Sequence, residues 1–321
     1  LDDGYIAMVQ HYFVSAWVPR EVIRNTYRGR KLKDQDIYLF GLTTPPVTIA
    51  PGETGTIGAS FYAGPKDQYK LEEIATGLEL TTDYGFLWWL AQPLFFMLTA
   101  IHSYVGNWGL AIIGLTIIVK SLLYPLSAAS FRSMAKMRKL QPEMVRLKER
   151  FGDDRQQFSQ AMMELYKKEG ANPMSGCFPI LIQIPVFFGF FTMLRSAVEL
   201  RGAEFLWACD LSQSDTVAHI AGFPINPLPM IMGVTMILQA RITPVSPTAD
   251  ATQQKIMKYM PLMFIVILYN FSAGLTLYWT VQNMLSILQT KLTKNIVVEA
   301  PLKSENSPLA KPLKNKRKRK K

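Results

Sequence analysis

After residue 86 the apolar residues of this 321-residue chain fall in blocks rather than in the scattered short runs of a soluble core. The blocks cover residues 108–124, 177–197, 228–240, 257–269 and 275–292, and the segments between them are basic, acidic or rich in proline. That layout belongs to a polytopic membrane protein. The shorter blocks hold thirteen residues and reach only about 20 Å as helices, against a hydrocarbon core of roughly 30 Å. They must therefore recruit flanking residues or sit in a thinned bilayer.

Lysine and arginine set the orientation. Ten basic residues crowd the 131–170 connection, Arg241, Lys255 and Lys258 lie in the 241–258 loop, and the tail from Lys311 to Lys321 is almost wholly basic. These segments face the cytoplasm. The 200–226 loop sets one arginine against Glu204, Asp210 and Asp215, and the 270–274 turn has no charge, so both face outward. Five spans then give an external N-terminal domain and an internal tail. Residues 88–104 are apolar and aromatic but interrupted by Gln92-Pro93 and His102. They read as part of an amphipathic helix lying in the outer interface (residues 81–106), with Trp88, Trp89 and Tyr104 at headgroup level.

The first 80 residues have a different texture. Aromatic and β-branched runs at 5–9, 12–18, 37–40, 47–49 and 56–62 are separated by Pro45-Pro46, Pro51-Gly52 and Gly64-Pro65, the punctuation of an antiparallel β-domain. Residues 66–79 should form a short helix closing it. The opening Leu1-Asp2-Asp3-Gly4 carries no signal segment and runs straight into strand-like alternation, as if the chain started inside a domain.

Within the 130–170 region, Met134, Met137, Met144, Leu147 and Phe151 recur at helical spacing, and Phe158, Met162 and Leu165 make a second stripe beyond Gly152-Asp153-Asp154. This pattern predicts a cytoplasmic αα-hairpin whose first helix is kinked or restarted by Pro142. The methionines either form the seam between the two helices or offer an adaptable apolar surface to hydrophobic segments of other proteins. Cys177 and Cys209 fall on opposite sides of the membrane and are expected to be inert packing residues.

Lys120 is the most informative side chain. It lies about twelve residues, or roughly 18 Å, beyond Trp108 inside the first block. A lysine at mid-membrane costs about 2.5–3.5 kcal/mol on insertion scales, so it faces a wet cavity, a partner or the interface. Snorkelling toward the boundary marked by Tyr124-Pro125 is one solution. The other is a polar groove: Thr116, Lys120 and Tyr124 share a helix face, and Gln183, Thr235, Gln239, Thr280, Asn283 and Ser286 place polar groups on three further spans. No block contains an acidic residue to neutralise Lys120, which leaves it available to a carboxylate on a passing polypeptide. Polar residues in spans also commonly serve as helix–helix glue. Pro179, Pro185 and Pro261 bend their helices either as hinges or as plain packing kinks.

Nothing in the sequence points to catalysis or a cofactor. His11, His102 and His219 lack metal-ligand spacing, no glycine-rich phosphate loop is present, and Asp153-Asp154 reads as a helix cap. The polybasic end, from Lys314 to Lys321, suits polyanions: anionic lipid at the inner leaflet or ribosomal RNA. A small-solute transporter or channel is the alternative in another class, but internal inverted repeats and paired intramembrane charges are not visible. A purely structural assembly factor is a third.

Several local motifs have a familiar look. Asp83-Tyr84-Gly85-Phe86-Leu87-Trp88, Ala91-Gln92-Pro93-Leu94, Gly106-Asn107-Trp108-Gly109, Tyr124-Pro125-Leu126, Ser133-Met134-Ala135-Lys136-Met137, Asn172-Pro173, Gly176-Cys177-Phe178-Pro179 and Gln183-Ile184-Pro185 resemble, in order, the bacterial YidC-type insertase family. The likeness covers about residues 83–295, and residues 1–80 resemble the end of that family's periplasmic β-sandwich. It implies a mainly α polytopic membrane protein: five transmembrane helices (107–296) around a hydrophilic groove, a cytoplasmic hairpin, part of a periplasmic β-sandwich before them and a basic cytoplasmic tail (297–321). It also implies an insertase and chaperone for nascent inner-membrane proteins, acting alone or with the Sec translocon. The family's groove carries a central positive residue, commonly arginine, at the place of Lys120. Thr116 matches a groove residue one turn away, and Tyr278-Trp279 matches an aromatic pair that contacts substrate, with tryptophan where the family has a second tyrosine. Gln183 and Asn283 complete the expected groove, and Met134, Met137, Met144 and Met162 the hairpin's substrate contact.

Overall fold

A computed structural model of the chain describes residues 4–20, 24–32, 37–130, 140–151, 154–170, 178–242 and 251–297. The chain divides into two compact units, one formed by Leu1–Leu115, Pro185–Leu228 and Tyr269–Tyr278, the other by Thr116–Ile184, Pro229–Leu268 and Trp279–Lys321.

The first unit opens with an antiparallel sheet of β1 (Ile6–Val9), β2 (Phe13–Pro19) and β5 (Ala59–Pro65), in the order β1-β2-β5. Side chains alternate across the pleat. Val14 and Ala16 point to one face and are buried with Leu71 and Leu78, while Trp17 on the other face is half exposed and leans on Phe61 across the strand pair at 4.7 Å. A separate hairpin pairs β3 (Thr26–Lys31) with β4 (Tyr38–Thr43). Strand β3 was not expected: its sequence, TYRGRK, is exposed almost throughout and has no apolar alternation to read. The run at 47–49, expected as a strand, is not one, and it follows Pro45 and Pro46, which have no N–H to give to a ladder. Helix α1 (Gln68–Ile74) closes the sheet; Asp67 caps it, its carboxylate accepting from the backbone N–H groups of Tyr69 and Lys70.

Helix α2 (Trp88–Val105) ends at Gly106, whose φ of 67° provides the left-handed step into the next helix. Asn107 then caps α3 (Trp108–Leu122) by accepting from the Leu110 N–H at 3.1 Å, and His102 stacks on Trp108 at 3.8 Å. The 200–226 loop is fastened by bonds within this unit. Asp215 accepts from the Trp207 indole at 2.9 Å and from the Leu228 N–H at 2.6 Å, which sets a carboxylate against the first turn of α8 (Pro227–Ile242). Asn226 donates to the Tyr269 carbonyl at 2.9 Å. A small hairpin, β6 (Ala218–Ile220) and β7 (Phe223–Ile225), turns through Ala221 and Gly222, both at positive φ as a two-residue primed turn demands.

The second unit holds α4 (Tyr124–Ser130), bent by 55° from α3 where Pro125 has no N–H to continue the ladder. It also holds the hairpin of α5 (Gln141–Phe151) and α6 (Arg155–Glu169). Pro142 sits in the first turn of α5, where the missing donor costs nothing. Asp154 caps α6, accepting from Gln156 and Gln157 at 3.0 Å. The remaining helices are α7 (Phe178–Ser196), α9 (Ala251–Leu268) and α10 (Ala273–Val297), with α3, α7, α8 and α10 each contributing to both units.

By length and composition, one helix among the described residues, Gly85–Val105, can cross a bilayer, and the bent pair Trp108–Leu122 plus Tyr124–Ser130 passes together. Leu181–Ser196, Pro227–Ile242 and Tyr259–Leu268 are shorter apolar helices. The segment expected to lie flat in the interface is thus also long and apolar enough to span. Pro93 does not interrupt its helix.

Candidate functional site

Lys120 lies in the last turn of α3, half-buried, and its Nζ donates to Ser286 Oγ at 2.9 Å. The Ser286 hydroxyl spends its own proton on the Gln282 carbonyl at 2.8 Å, so its lone pairs are free to receive the ammonium. Four residues before Ser286 on the same helix face, Gln282 donates its amide N–H to Gln183 Oε1 at 2.7 Å, joining α10 to α7. Asn283 donates to Thr235 Oγ1 at 3.3 Å, and Thr235 donates onward to the Met232 carbonyl at 2.7 Å, joining α10 to α8. Inside the second unit, one helix therefore carries polar links to three others.

These links run through apolar helices that contain no aspartate or glutamate. The hydrogen-bond partner of Lys120 is a neutral hydroxyl rather than a carboxylate. Thr116, one turn earlier on α3, is buried at 1 % exposure. Trp279, also of the second unit, tilts against Phe264 at 5.4 Å. Tyr278 belongs to the first unit, where it is buried and stacks on Phe190 at 4.2 Å. Of the six expected groove residues, Lys120, Gln183 and Asn283 thus enter one connected set of helices with α10 at its centre.

The matches to known proteins bear on what this set belongs to. Residues 100–300 match the family described as 60Kd inner membrane protein, and residues 1–97 match the YidC periplasmic domain. The chain belongs to the 60Kd inner membrane protein family. It is 55% identical over 287 residues to a protein of Cellvibrio japonicus named membrane protein insertase YidC, covering 89% of this chain and 50% of that one. It is 51% identical to a protein of the same name in Pseudomonas fluorescens, covering 89% of this chain and 49% of that one. The chain spans about half the length of the curated relatives it matches. Among solved structures it is similar to an active YidC insertase with its first transmembrane domain resolved: TM-score 0.52, 20% identity, 90% of this chain and 63% of that one. That likeness is one of fold, a β-rich region followed by helices. Family membership places the chain at the inner membrane, with residues 1–97 in the family's periplasmic domain.

Two expectations need correction. Met144 and Met162 are buried at 3 % and 5 % among Leu140, Leu165 and Tyr166, with Leu147 and Phe158 packed alongside. They fill the seam between α5 and α6 and are not an open surface for substrate, because each short helix has one apolar stripe and the hairpin uses it. Met134 and Met137 lie outside the described residues, as do Cys177 and the basic tail. Cys209 is exposed rather than a packing residue.

Two members of the polar set went unnoticed in the sequence, Gln282 and Gln289. Their signal was available: residues 282, 286 and 289 are spaced by four and three, which puts all of them on one helix face. Among the described residues no group of three or more His, Cys, Asp or Glu is arranged to hold a metal.

Proposed function

We propose that this chain works as a membrane protein insertase and chaperone, drawing hydrophilic ends of nascent inner-membrane proteins into a wet groove beside Lys120. The observation that carries this reading is the Lys120–Ser286 hydrogen bond at 2.9 Å: a cation set among apolar helices against a neutral group that can be exchanged for a stronger partner. The bond to Ser286 carries charge on the donor alone, whereas an incoming carboxylate adds the opposite charge and makes an ion pair, so an acidic translocated end displaces the serine. Side-chain links to Gln282, Gln183, Asn283 and Thr235 supply further donors and acceptors around such a segment.

In this proposal α3, α7, α8, α9 and α10 are five spans enclosing a groove open to cytoplasm and lipid. Thr116 and Trp279 line the path, α2 lies in the outer interface, and the hairpin and tail are cytoplasmic. The short apolar lengths of Leu181–Ser196, Pro227–Ile242 and Tyr259–Leu268 support a locally thinned bilayer, which shortens the distance a polar flank must cross. The Sec translocon is the partner for larger substrates. The basic tail meets the ribosome or anionic lipid, where each lysine or arginine near the surface contributes about 1 kcal/mol.

The test is insertion into vesicles holding the purified protein, with a photo-reactive side chain placed at position 120 to record polypeptide adducts. Lys120→Ala is expected to cut insertion of substrates with an acidic translocated end by about tenfold or more, from loss of a charged hydrogen bond worth about 1.5–3 kcal/mol. Lys120→Arg is expected to retain it. Equal insertion by the alanine variant refutes the charge role, and a transporter would give no polypeptide adduct at all.

A further inference from the structure

Gln289 is 4 % exposed, and neither its amide oxygen nor its amide nitrogen has a hydrogen-bond partner. It stands one turn beyond Ser286 on α10 and seven residues beyond Gln282, so it extends the polar face that receives Lys120. A second face of this stretch is apolar: Met284, Leu288 and Leu292, spaced by four, are each more than half exposed. Gln289 lies to one side of that stripe and is turned inward.

Buried polar groups are nearly always paired, and a primary amide left without partners weakens the packed state it sits in. An amide offers an acceptor and a donor side by side and no net charge. Its complement is another uncharged donor–acceptor pair, and the backbone peptide group is such a pair. An extended polypeptide entering an apolar layer brings peptide groups that are themselves costly to leave unmet. Each would satisfy the other.

We propose that Gln289 is a substrate-contacting residue whose amide takes a backbone peptide group of the polypeptide in transit. This inference rests on the insertase reading and deepens it: Lys120 recognises charge, and Gln289 recognises main chain irrespective of sequence. Both amide atoms are shut off from solvent, so the contact requires the α10 face around Gln289 to part from its neighbours. With no hydrogen bond of that amide to break, parting is easier there than at Gln282 or Asn283, whose amides are bonded.

The experiment uses the full chain in vesicles, with Gln289→Leu as the variant and photo-reactive side chains placed separately at 120 and 289. Gln289→Leu is expected to raise the thermal midpoint by roughly 2 °C, because an unpaired buried amide is replaced by a hydrocarbon of similar volume. Insertion is expected to fall by roughly threefold or more, for substrates with acidic and with neutral translocated ends alike. Position 289 should give an adduct with the nascent chain. A lower midpoint would overturn the proposal by showing that the amide holds the fold, and so would unchanged insertion. An adduct at 120 without one at 289 defeats this inference alone; adducts at neither defeat the insertase reading with it.

Discussion

The polar bonds that join distant segments differ in emphasis between the two units. In the first, side-chain pairs such as Trp207 with Asp215 stand beside many bonds from side chain to backbone: Asp215 to the Leu228 N–H, Asn226 to the Tyr269 carbonyl, the Tyr269 hydroxyl to the Pro224 carbonyl. Main chain also meets main chain closely where α10 begins, since Gly274 donates to the Leu211 carbonyl at 2.9 Å and a Cβ at position 274 would lie 3.1 Å from that oxygen. In the second unit the bonds from α10 to other helices join one side chain to another, Lys120 to Ser286, Gln282 to Gln183, Asn283 to Thr235, and the Gln289 amide has no hydrogen-bond partner. A side chain can trade partners by rotating, whereas a backbone group can do so only if the chain moves. The first arrangement holds a shape and the second is suited to exchange.

Breaking the bonds that fasten the first unit should therefore cost stability. Asp215→Ala strips a carboxylate from both the Trp207 indole and the first turn of α8, two charged hydrogen bonds worth together about 4 kcal/mol. A large fall in the detergent thermal midpoint is expected, with adducts at position 120 unchanged in the protein that remains folded. Midpoint loss without that separation, the two falling in parallel, would mean that the division of labour between the units is false.

Glu199 sharpens the same point through pH. It follows α7 in the turn Val198–Leu200, where burial, helped by the negative charge of Asp67, pushes its carboxyl up to about 7 from an ordinary 4.5. A raised carboxyl holds its proton more tightly in the folded chain than in the unfolded one. Its penalty is absent below about pH 4.5, grows as pH rises toward 7 and is complete above that. Glu199→Gln should accordingly stabilise on the order of 3 kcal/mol at pH 8 and leave stability near pH 4.5 unaltered. Thermal midpoints across that range check it; a gain independent of pH would assign the effect to packing.

How much of this could be read in advance follows from what each feature depends on. Helix positions were legible because each apolar block is a local property: α7, α8 and α10 begin and end within a few residues of the blocks at 177–197, 228–240 and 275–292. The Asp154 cap and the α5–α6 stripe were legible for the same reason. Strand β3 was not, since an exposed strand held by its partner β4 needs no pattern of its own. The burial of Met144 and Met162 also escaped a firm reading, because one apolar stripe serves a seam or a docking face equally well until the second helix is placed. Within the site, the sequence names Gln183, Thr235 and Asn283 as polar residues of separate spans, but which of them bond to one another depends on helix rotation, which composition does not encode.

The smallest expected effect is also the most discriminating. Gln183→Leu removes the acceptor of the Gln282 amide and is close to neutral in volume, so the share of the stability loss that belongs to this bond should be about 1 kcal/mol, the net worth of one hydrogen bond plus a modest penalty for the stranded Gln282. If side-chain pairs in the second unit are exchangeable contacts, Gln183→Leu should slow insertion by several fold despite this small change in midpoint, and a double variant with Gln282→Leu should recover the stability but not the insertion. Recovery of both would reduce the pair to helix glue. That outcome would leave Lys120 as a cation in a conventional helix contact, and the contrast between the units would then rest on Gln289 alone.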